Sequence, residues 1–569
     1  MGVPVFDLEA YDWTEIVAVG FYPGGKAEYL EFLKISDDCD PVWEFLSYIR
    51  DMYPGMRLFA HNAANYDNKF ILNCLIKHDQ KVRLEGGTSK LVWTDPQISF
   101  EDSYLLLGRG LASVCTAFEV PRKLFWDHNE TRDLWNEVLS GSTTEMKMKL
   151  DSRLDAFRAY LRRDVISLSE ALDKYCTVLL DKFGIVPSST ISLTSVKAFD
   201  KSFYPVKKIH SNEEYEVFIR QATFGGRNEI YKRYGEDLNL YDVRRMYLSC
   251  YDVPVPIGKM MWTANNLDEG TITNAWVKVP DVQIGPLPKR WKGRLIFPVG
   301  TYRGWWDSRE LQFACNYLGV DCKVLRQLKC DEEPILKGFG EYISELSEGA
   351  NPDLGKIWKL FGLRLCGKFG QHRFRTEVTH ISDIEDFTGY YPIDSSEIYH
   401  ERIVKLEGNR SPYIKPAINM RIRSEARIRH LKYMMQAGNV FYCDTDSVYT
   451  TTVMPTGDEP GDLHLLDTAQ RAYFIKLKLY GYINKWGLLK QISSGYSEFK
   501  LCEYDFQKLL EGKEIEGTYK VMGSWRESLE GQGVKMRSNE LTPVSRMRFE
   551  NRVKEGLETL PIKLEEKEK

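Results

Sequence analysis

Apolar and polar residues along this chain repeat with two different periods, and each change of period marks an element. Val3-Pro4-Val5-Phe6 reads as a short strand running into Asp7-Leu8-Glu9, where the two-residue repeat puts Asp7 and Glu9 on one face. Leu58-Phe59-Ala60 reads as a second strand. After the polar loop His61 to Tyr66 comes an amphipathic helix through Phe70, Ile71 and Leu72, with Asp67 near its start, a place aspartate also takes as a helix cap. Phe100-Glu101-Asp102-Ser103-Tyr104 closes another strand. A helix carries Tyr160 and Asp164, four apart on one face, and continues through Leu168 and Leu172. Gly184-Ile185-Val186-Pro187-Ser188-Ser189 then breaks the helical pattern and marks a boundary.

The second half reads as strand, helix and hairpin. Leu238-Asn239-Leu240-Tyr241 is a strand ending at Asp242-Val243, closed by Pro254, Pro256 and Gly258. Lys356 to Gln371 reads as a basic amphipathic helix capped by glycine. Arg421, Arg423, Arg427, Arg429 and Lys432 make a further basic helix, for which a plain solvated face is an equal reading. Val440-Phe441-Tyr442 and Val448-Tyr449 are strands flanking Cys443-Asp444-Thr445-Asp446-Ser447, a hairpin tip. The tail from Glu565 to Lys569 is expected to be disordered.

Composition adds bounds. The 569 residues are 43% hydrophobic and 28% charged, enough for several cores. No apolar run approaches the roughly 18 to 20 residues that span a bilayer, and the first residues do not read as a signal peptide. Eleven scattered cysteines without a CxxC pair point to reduced thiols in an intracellular compartment, the cytoplasm of a host or a mitochondrion. A net charge of −4 argues against a protein that coats nucleic acid non-specifically; a local basic groove beside acidic sites remains open.

The chemistry lies in two sets of carboxylates. Asp7, Glu9, Asp67 and Asp164 are the ligand count for two divalent ions, which about 3.5–4 Å apart activate a water and stabilise the leaving oxygen of a phosphodiester. Tyr160 is placed to orient that water. Asp444 and Asp446 form a second pair on a rigid hairpin, a setting that suits Mg²⁺; an ordinary Asp-rich turn has the same pattern. Gly225-Gly226-Arg227 permits close backbone approach to a phosphate or another strand. Lys359 and Lys368 on the basic helix are placed to hold a triphosphate.

In their order, Asp7-Leu8-Glu9, then Asn62 to Asp67, then Tyr160 to Asp164 resemble the three exonuclease motifs of DnaQ-like 3′→5′ proofreading domains. The resemblance implies an RNase H-like fold, contacts from Asn62 and Tyr66 to a single-stranded end, and a DNA-ligand role for Ser103. Gly225-Gly226, Asp242 with Tyr247, Lys359 with Gly367-Lys368, and Tyr442-Cys443-Asp444-Thr445-Asp446 resemble, in that order, a family B DNA polymerase. Chain length and the spacing from Asp242 to Lys359 are similar to the protein-primed branch of small phages, adenoviruses and linear plasmids.

The resemblance implies a multidomain α/β and α+β chain. Residues 1–185 form the RNase H-like exonuclease domain and 186–569 a right-hand polymerase. Within it, palm takes about 190–302 and 411–500, fingers 351–371 and thumb 505–569. Insertions of the kind called TPR1 and TPR2 take 303–350 and 372–410. Metal ligands are Asp242, the Val243 backbone, Asp444 and Asp446, with Asp7, Glu9, Asp67 and Asp164 at the other site. The cofactor is Mg²⁺, two per site, with Mn²⁺ as a substitute. Tyr247 takes the steric-gate position, and Thr445 and Tyr504 join the substrate contacts. Lys535, Arg537, Arg546, Arg548, Arg552 and Lys554 read as a thumb gripping duplex phosphates.

The departures are specific. The usual D-x-x-S-L-Y-P lacks its Ser and Pro here, with Arg244-Arg245 gained. Leu363, Arg364 and Cys366 replace the Asn, Ser and Tyr of the usual helix motif, Thr223 replaces the Tyr of Y-x-G-G, and the K-x-Y motif is sought at Cys502-Glu503-Tyr504. These changes bear on fidelity and nucleotide affinity. The expected partners are template-primer DNA, dNTPs and a terminal-protein primer, with no membrane, for a monomer. Two other readings stay open: a 3′→5′ exonuclease whose degenerate polymerase domain mainly binds DNA, and a non-catalytic replication scaffold.

Overall fold

In the computed structural model, which describes residues 2–567 apart from 12, 37, 141–143, 205–207, 394–395, 406–412, 494–499, 516–517, 531–532 and 541–550, three sheets carry the chain. The first has ten strands. Its centre is Val5–Tyr11, parallel to Arg57–Ala60, which is parallel to Ile98–Asp102. Val17 and Ala18 pack under Trp135 of the helix His128–Ser140 and under Phe157 and Leu161 of the forty-residue helix Thr144–Phe183. Phe6, Val19, Leu58 and Phe100 face the helices Pro41–Met52 and Asp67–Lys77. This mixed sheet with flanking helices matches the RNase H-like expectation.

The sheet does not end within residues 1–185. Phe374–His380 pairs with Val82–Glu85, Glu377 opposite Glu85 and Val378 opposite Leu84, and carries Ser396–Lys405 and Tyr390–Ile393 beyond it. The segment read as the second insertion therefore completes the edge of the first sheet, which satisfies backbone groups that an open edge would leave bare.

The second sheet is antiparallel throughout, in the order Leu489–Ser493, Leu479–Asn484, Leu463–Lys476, Tyr234–Val243, Ser447–Thr450, Val440–Asp444, Asn228–Ile230. The third consists of Met261–Thr263, Asp321–Lys329, Ile272–Val279, Val299–Asp307 and Lys563–Glu565. A boundary at residue 303 is corrected by this ladder. It would cut Val299–Asp307 between its partners, and the sheet is built from residues 261–329 together with Lys563–Glu565. Lys337–Glu348 packs instead against Pro352–Phe369 and not onto the third sheet's strands.

The helix Pro416–Ala437 contradicts the solvated-face reading. Its Arg421 is 1% exposed, 2.6 Å from Asp307 and 2.7 Å from Glu332; Arg427 meets Glu310 at 2.7 Å. Arg421 and Arg427 run into the protein and tie the helix to the end of Val299–Asp307 and the helix Ser308–Leu318, because each finds a buried carboxylate there, whereas Arg429 pairs with Glu425 and the exposed Asp252. The carboxyl-terminal segment is also corrected. Arg552 is buried against Glu229 at 3.2 Å, so it grips no duplex. Glu565 pairs with Thr301, and Glu566 accepts from Lys289 and the Arg303 amide, so that part of the tail is strand-bound. Arg546, Arg548 and the last two residues lie outside the described residues. Among the described residues no helix is long and apolar enough to cross a membrane, and all eleven cysteines are free thiols.

Candidate active sites

The first site is a cavity of about 360 Å³ at the end of the first sheet's central strands, lined by Asp7, Glu9, Asp67, Tyr160 and Asp164 together with His61, Asn62, Tyr66 and Lys123. Asp7 and Glu9 reach it from one strand face. Asp67 opens the helix Asp67–Lys77, but it is not a cap: its Oδ1 accepts the Leu8 amide at 3.1 Å, bonding helix to strand. The loop between is held by Asp102, whose carboxylate accepts the Ala64 and Tyr104 amides.

Burial, then mutual repulsion, sets the electrostatics. Burial and the neighbouring Glu9, Asp67 and Asp164 hold the Asp7 carboxyl far above its ordinary range. Burial pushes Glu9 and Asp67 up to about 7. A buried, oxygen-only donor set with this much self-repulsion fits a hard divalent cation. The Tyr160 hydroxyl donates to Glu9 at 2.8 Å and accepts from Lys123 Nζ at 3.0 Å, and Lys123 also meets Asp164 at 2.6 Å. Lys123 escaped the sequence reading, since it sits alone in an irregular stretch; only its convergence on Tyr160 and Asp164 marks it. Ser103 is corrected: wholly buried, it donates to the Ala60 carbonyl and bonds the His61 ring at 3.0 Å, so it steadies His61 and does not face the cavity.

The second site lies on the second sheet. Asp242, about 200 residues before the hairpin, pairs opposite Ser447, which sets it beside the tip. The turn is tight: Thr445 sits at φ +63°, its amide donates to the Arg227 carbonyl at 2.7 Å, and the Val243 amide donates to the Asp446 carbonyl at 2.9 Å. Gly226 lies so close to Thr445 that a Cβ would stand 2.7 Å from its methyl carbon, which accounts for one of the paired glycines. The Asp242 and Asp446 carboxyls act on each other electrostatically. Burial and the other two carboxylates push Asp446 up to about 7, and burial pushes Asp242 up to about 6, with Lys359 opposing both shifts. Lys359 therefore projects its charge from the finger helix toward the pair. Gly367 is open on the same helix, while Lys368 bonds Gln371.

Three expectations change here. Arg227 is 2% exposed, bound to Glu229 at 2.7 Å and stacked 3.5 Å over the Phe297 ring, so it braces the glycine segment and offers nothing to a phosphate. Tyr504 is exposed and its ring is covered by Lys508. Its neighbour Glu503 holds Arg471, which pairs with Glu236, six residues and roughly 20 Å along the strand from Asp242. The K-x-Y pattern is instead met at Lys478-Leu479-Tyr480, where Lys478 Nζ lies 2.5 Å from Asp444 Oδ1. The added arginines point away from the carboxylates: Arg244 bonds the Gly457 carbonyl, and Arg245 pairs with Glu348. Tyr247 packs in the short helix Met246–Ser249, where burial pushes its phenol up to about 12. Cys366 is buried and bonded to Asn419.

The family model for DNA polymerase type B, organellar and viral, matches residues 50–437, more than half the chain. A probable DNA polymerase of Podospora anserina is 25% identical over 491 residues, 72% of this chain and 39% of that protein. The DNA-directed DNA polymerase of Enterobacteria phage PRD1 is 22% identical over 451 residues, 75% of this chain and 72% of the phage protein. The chain spans about two fifths to half the length of the fungal relatives it matches. Among solved structures, Phi29 DNA polymerase superposes with a TM-score of 0.69 at 15% identity, covering 95% of this chain and all of the other.

Proposed function

Since the chain belongs to the organellar and viral type B DNA polymerases, we propose that it is a template-directed DNA polymerase with a separate 3′→5′ exonuclease site. The observation that carries this is the strand register that sets Asp242 beside Asp444 and Asp446, under Lys359, on a sheet distinct from the Asp7 cavity.

In the polymerase site Asp242, Asp444, Asp446 and the Val243 backbone hold divalent cations, Mg²⁺ foremost, which when bound supply Lewis-acid stabilisation of phosphoryl oxygens. Lys478 keeps Asp444 aimed, and Lys359 offsets triphosphate charge. Tyr247 bounds the sugar, with Thr445 and the backbone of Gly225 and Gly226 beside the primer end. In the exonuclease site Asp7, Glu9, Asp67 and Asp164 hold the cations, Glu9 holds the Tyr160 hydroxyl, and Asn62 and Tyr66 receive a frayed single strand. Chain length and the long span between Asp242 and Lys359 support a terminal-protein primer, whose hydroxyl is extended at the same carboxylates.

A single gel tests this. Primed template with Mg²⁺ should be extended when dNTPs are present and shortened when they are absent. Shortening under both conditions would leave an exonuclease with an inert polymerase fold. Labelled dNTP should become covalently attached to a candidate terminal protein; failure across candidates, with DNA primers extended normally, would remove the priming claim.

A further inference from the structure

The outer face of the first domain carries a cluster that neither site uses. Asp40 caps the helix Pro41–Met52, its Oδ1 accepting the Val42 and Trp43 amides at 3.1 Å each. This leaves the capacity of Oδ2 for another partner. Cys74 and His78, four apart at the end of the helix Asp67–Lys77, share one face beside it. One carboxylate oxygen, the thiol sulfur and one ring nitrogen of these three residues all lie within 4.8 Å of one another. Trp43 stacks on the His78 ring with centroids 3.7 Å apart and planes 5° from parallel, which sets the ring's orientation. His78 Nε2 is enclosed and has no hydrogen-bond partner among the described residues. An enclosed polar nitrogen without a partner carries a desolvation cost that calls for an explanation.

We propose that Asp40, Cys74 and His78 form a zinc site that ties the start of one helix to the end of the next. Sulfur, nitrogen and oxygen donors at this spacing suit tetrahedral Zn²⁺, whereas Mg²⁺ takes oxygen ligands only. On binding, the Cys74 thiol gives its proton to solvent and the thiolate donates an electron pair to the metal; nothing is oxidised or reduced. Asp40 and His78 are half-buried, so the fourth position is open to water. Zinc here adds no chemistry to phosphoryl transfer. It holds the far end of the helix whose first residue is Asp67.

The test is a Co²⁺ titration of the metal-stripped full chain in excess Mg²⁺. The exonuclease and polymerase sites contain no sulfur ligand, so a sulfur-to-cobalt absorption band reports on this site and not on theirs. The band should saturate at about one equivalent per chain, vanish on Zn²⁺ addition, and be matched by a Zn²⁺-dependent rise in Tm. Cys74→Ser should abolish it. Because Cys74 is buried and its replacement can disturb the core, His78→Ala provides the second arm. It should weaken Zn²⁺ binding by more than about a hundredfold while Mg²⁺-dependent extension and shortening stay unchanged. No band, or a band that persists in both variants, would overturn the proposal; persistence would place the metal on other thiols such as Cys315 and Cys322.

Discussion

Asp444 accepts Lys478 Nζ on one side and stands beside the Asp242–Asp446 pair on the other, so its loss leaves a lysine unpaired and a cation site incomplete. Asp444→Ala should abolish nucleotide addition, because the Lewis-acid contribution lost is worth several kcal/mol, while digestion of single-stranded DNA continues. The reciprocal change, Asp7→Ala with Asp164→Ala, should stop 3′ shortening and leave extension intact, with mismatched primer ends extended more readily. Gel assays of both variants on one substrate decide it; loss of both activities in either variant contradicts two independent sites. Tyr247→Val should raise ribonucleotide incorporation relative to deoxyribonucleotide, read from competition assays, because a ring beneath the sugar excludes a 2′-hydroxyl. An unchanged ratio means that Tyr247 does not face the sugar. At this scale the sequence showed the carboxylates clearly. Lys478 was missed because its neighbours Lys476 and Leu477 mask the motif, and Arg227 misled because charge alone does not reveal burial.

The helix Pro416–Ala437 is tied to the end of the third sheet's strand Val299–Asp307 and to the helix after it through Arg421 and Arg427, which a linear reading can assign to solvent. Arg421, 1% exposed, faces Asp307 and Glu332, and of these two carboxylates only Glu332 also meets a second side-chain cation, Arg309, at 3.1 Å. Arg421→Leu should therefore cost about 3–5 kcal/mol in denaturant unfolding, most of it from the stranded Asp307 carboxylate. An effect under about 1 kcal/mol would mean that water reaches the pair. The corrected limits of the third-sheet body also change how a deletion should be designed. Removing 303–350 would split the strand Val299–Asp307 and take away the helix Lys337–Glu348, so a loss of priming could not be separated from a collapsed finger pair. Elements of the first domain were legible from period and caps. The strand Phe374–His380 was not, since its partner Val82–Glu85 lies about 290 residues earlier and nothing local encodes the pairing.

At the scale of the whole molecule, two clusters of buried carboxylates set a pH dependence. Glu9, Asp67 and Asp446 are held up to about 7 by burial, against an unfolded value near 4. Between those values the folded protein binds protons that the unfolded chain has released, so the stability of the metal-free protein should fall as pH rises from about 4 to about 7. Thermal melts across that window should show Tm dropping in chelator and holding in saturating Mg²⁺. Asp67→Asn should flatten the slope, and a slope unchanged by that substitution would mean that the cluster is already ionised. What the sequence determined by itself was the set of short-range decisions: which strands end in carboxylates, where the hairpin turns, and in what order the motifs follow. Those rest on period, turn chemistry and spacing, all local to the chain. The tertiary structure alone decided which charges are buried, which lysine meets Asp444, and that residues 374–405 finish the first sheet. Each of these depends on the proximity of residues far apart in sequence, which packing sets and local pattern does not encode.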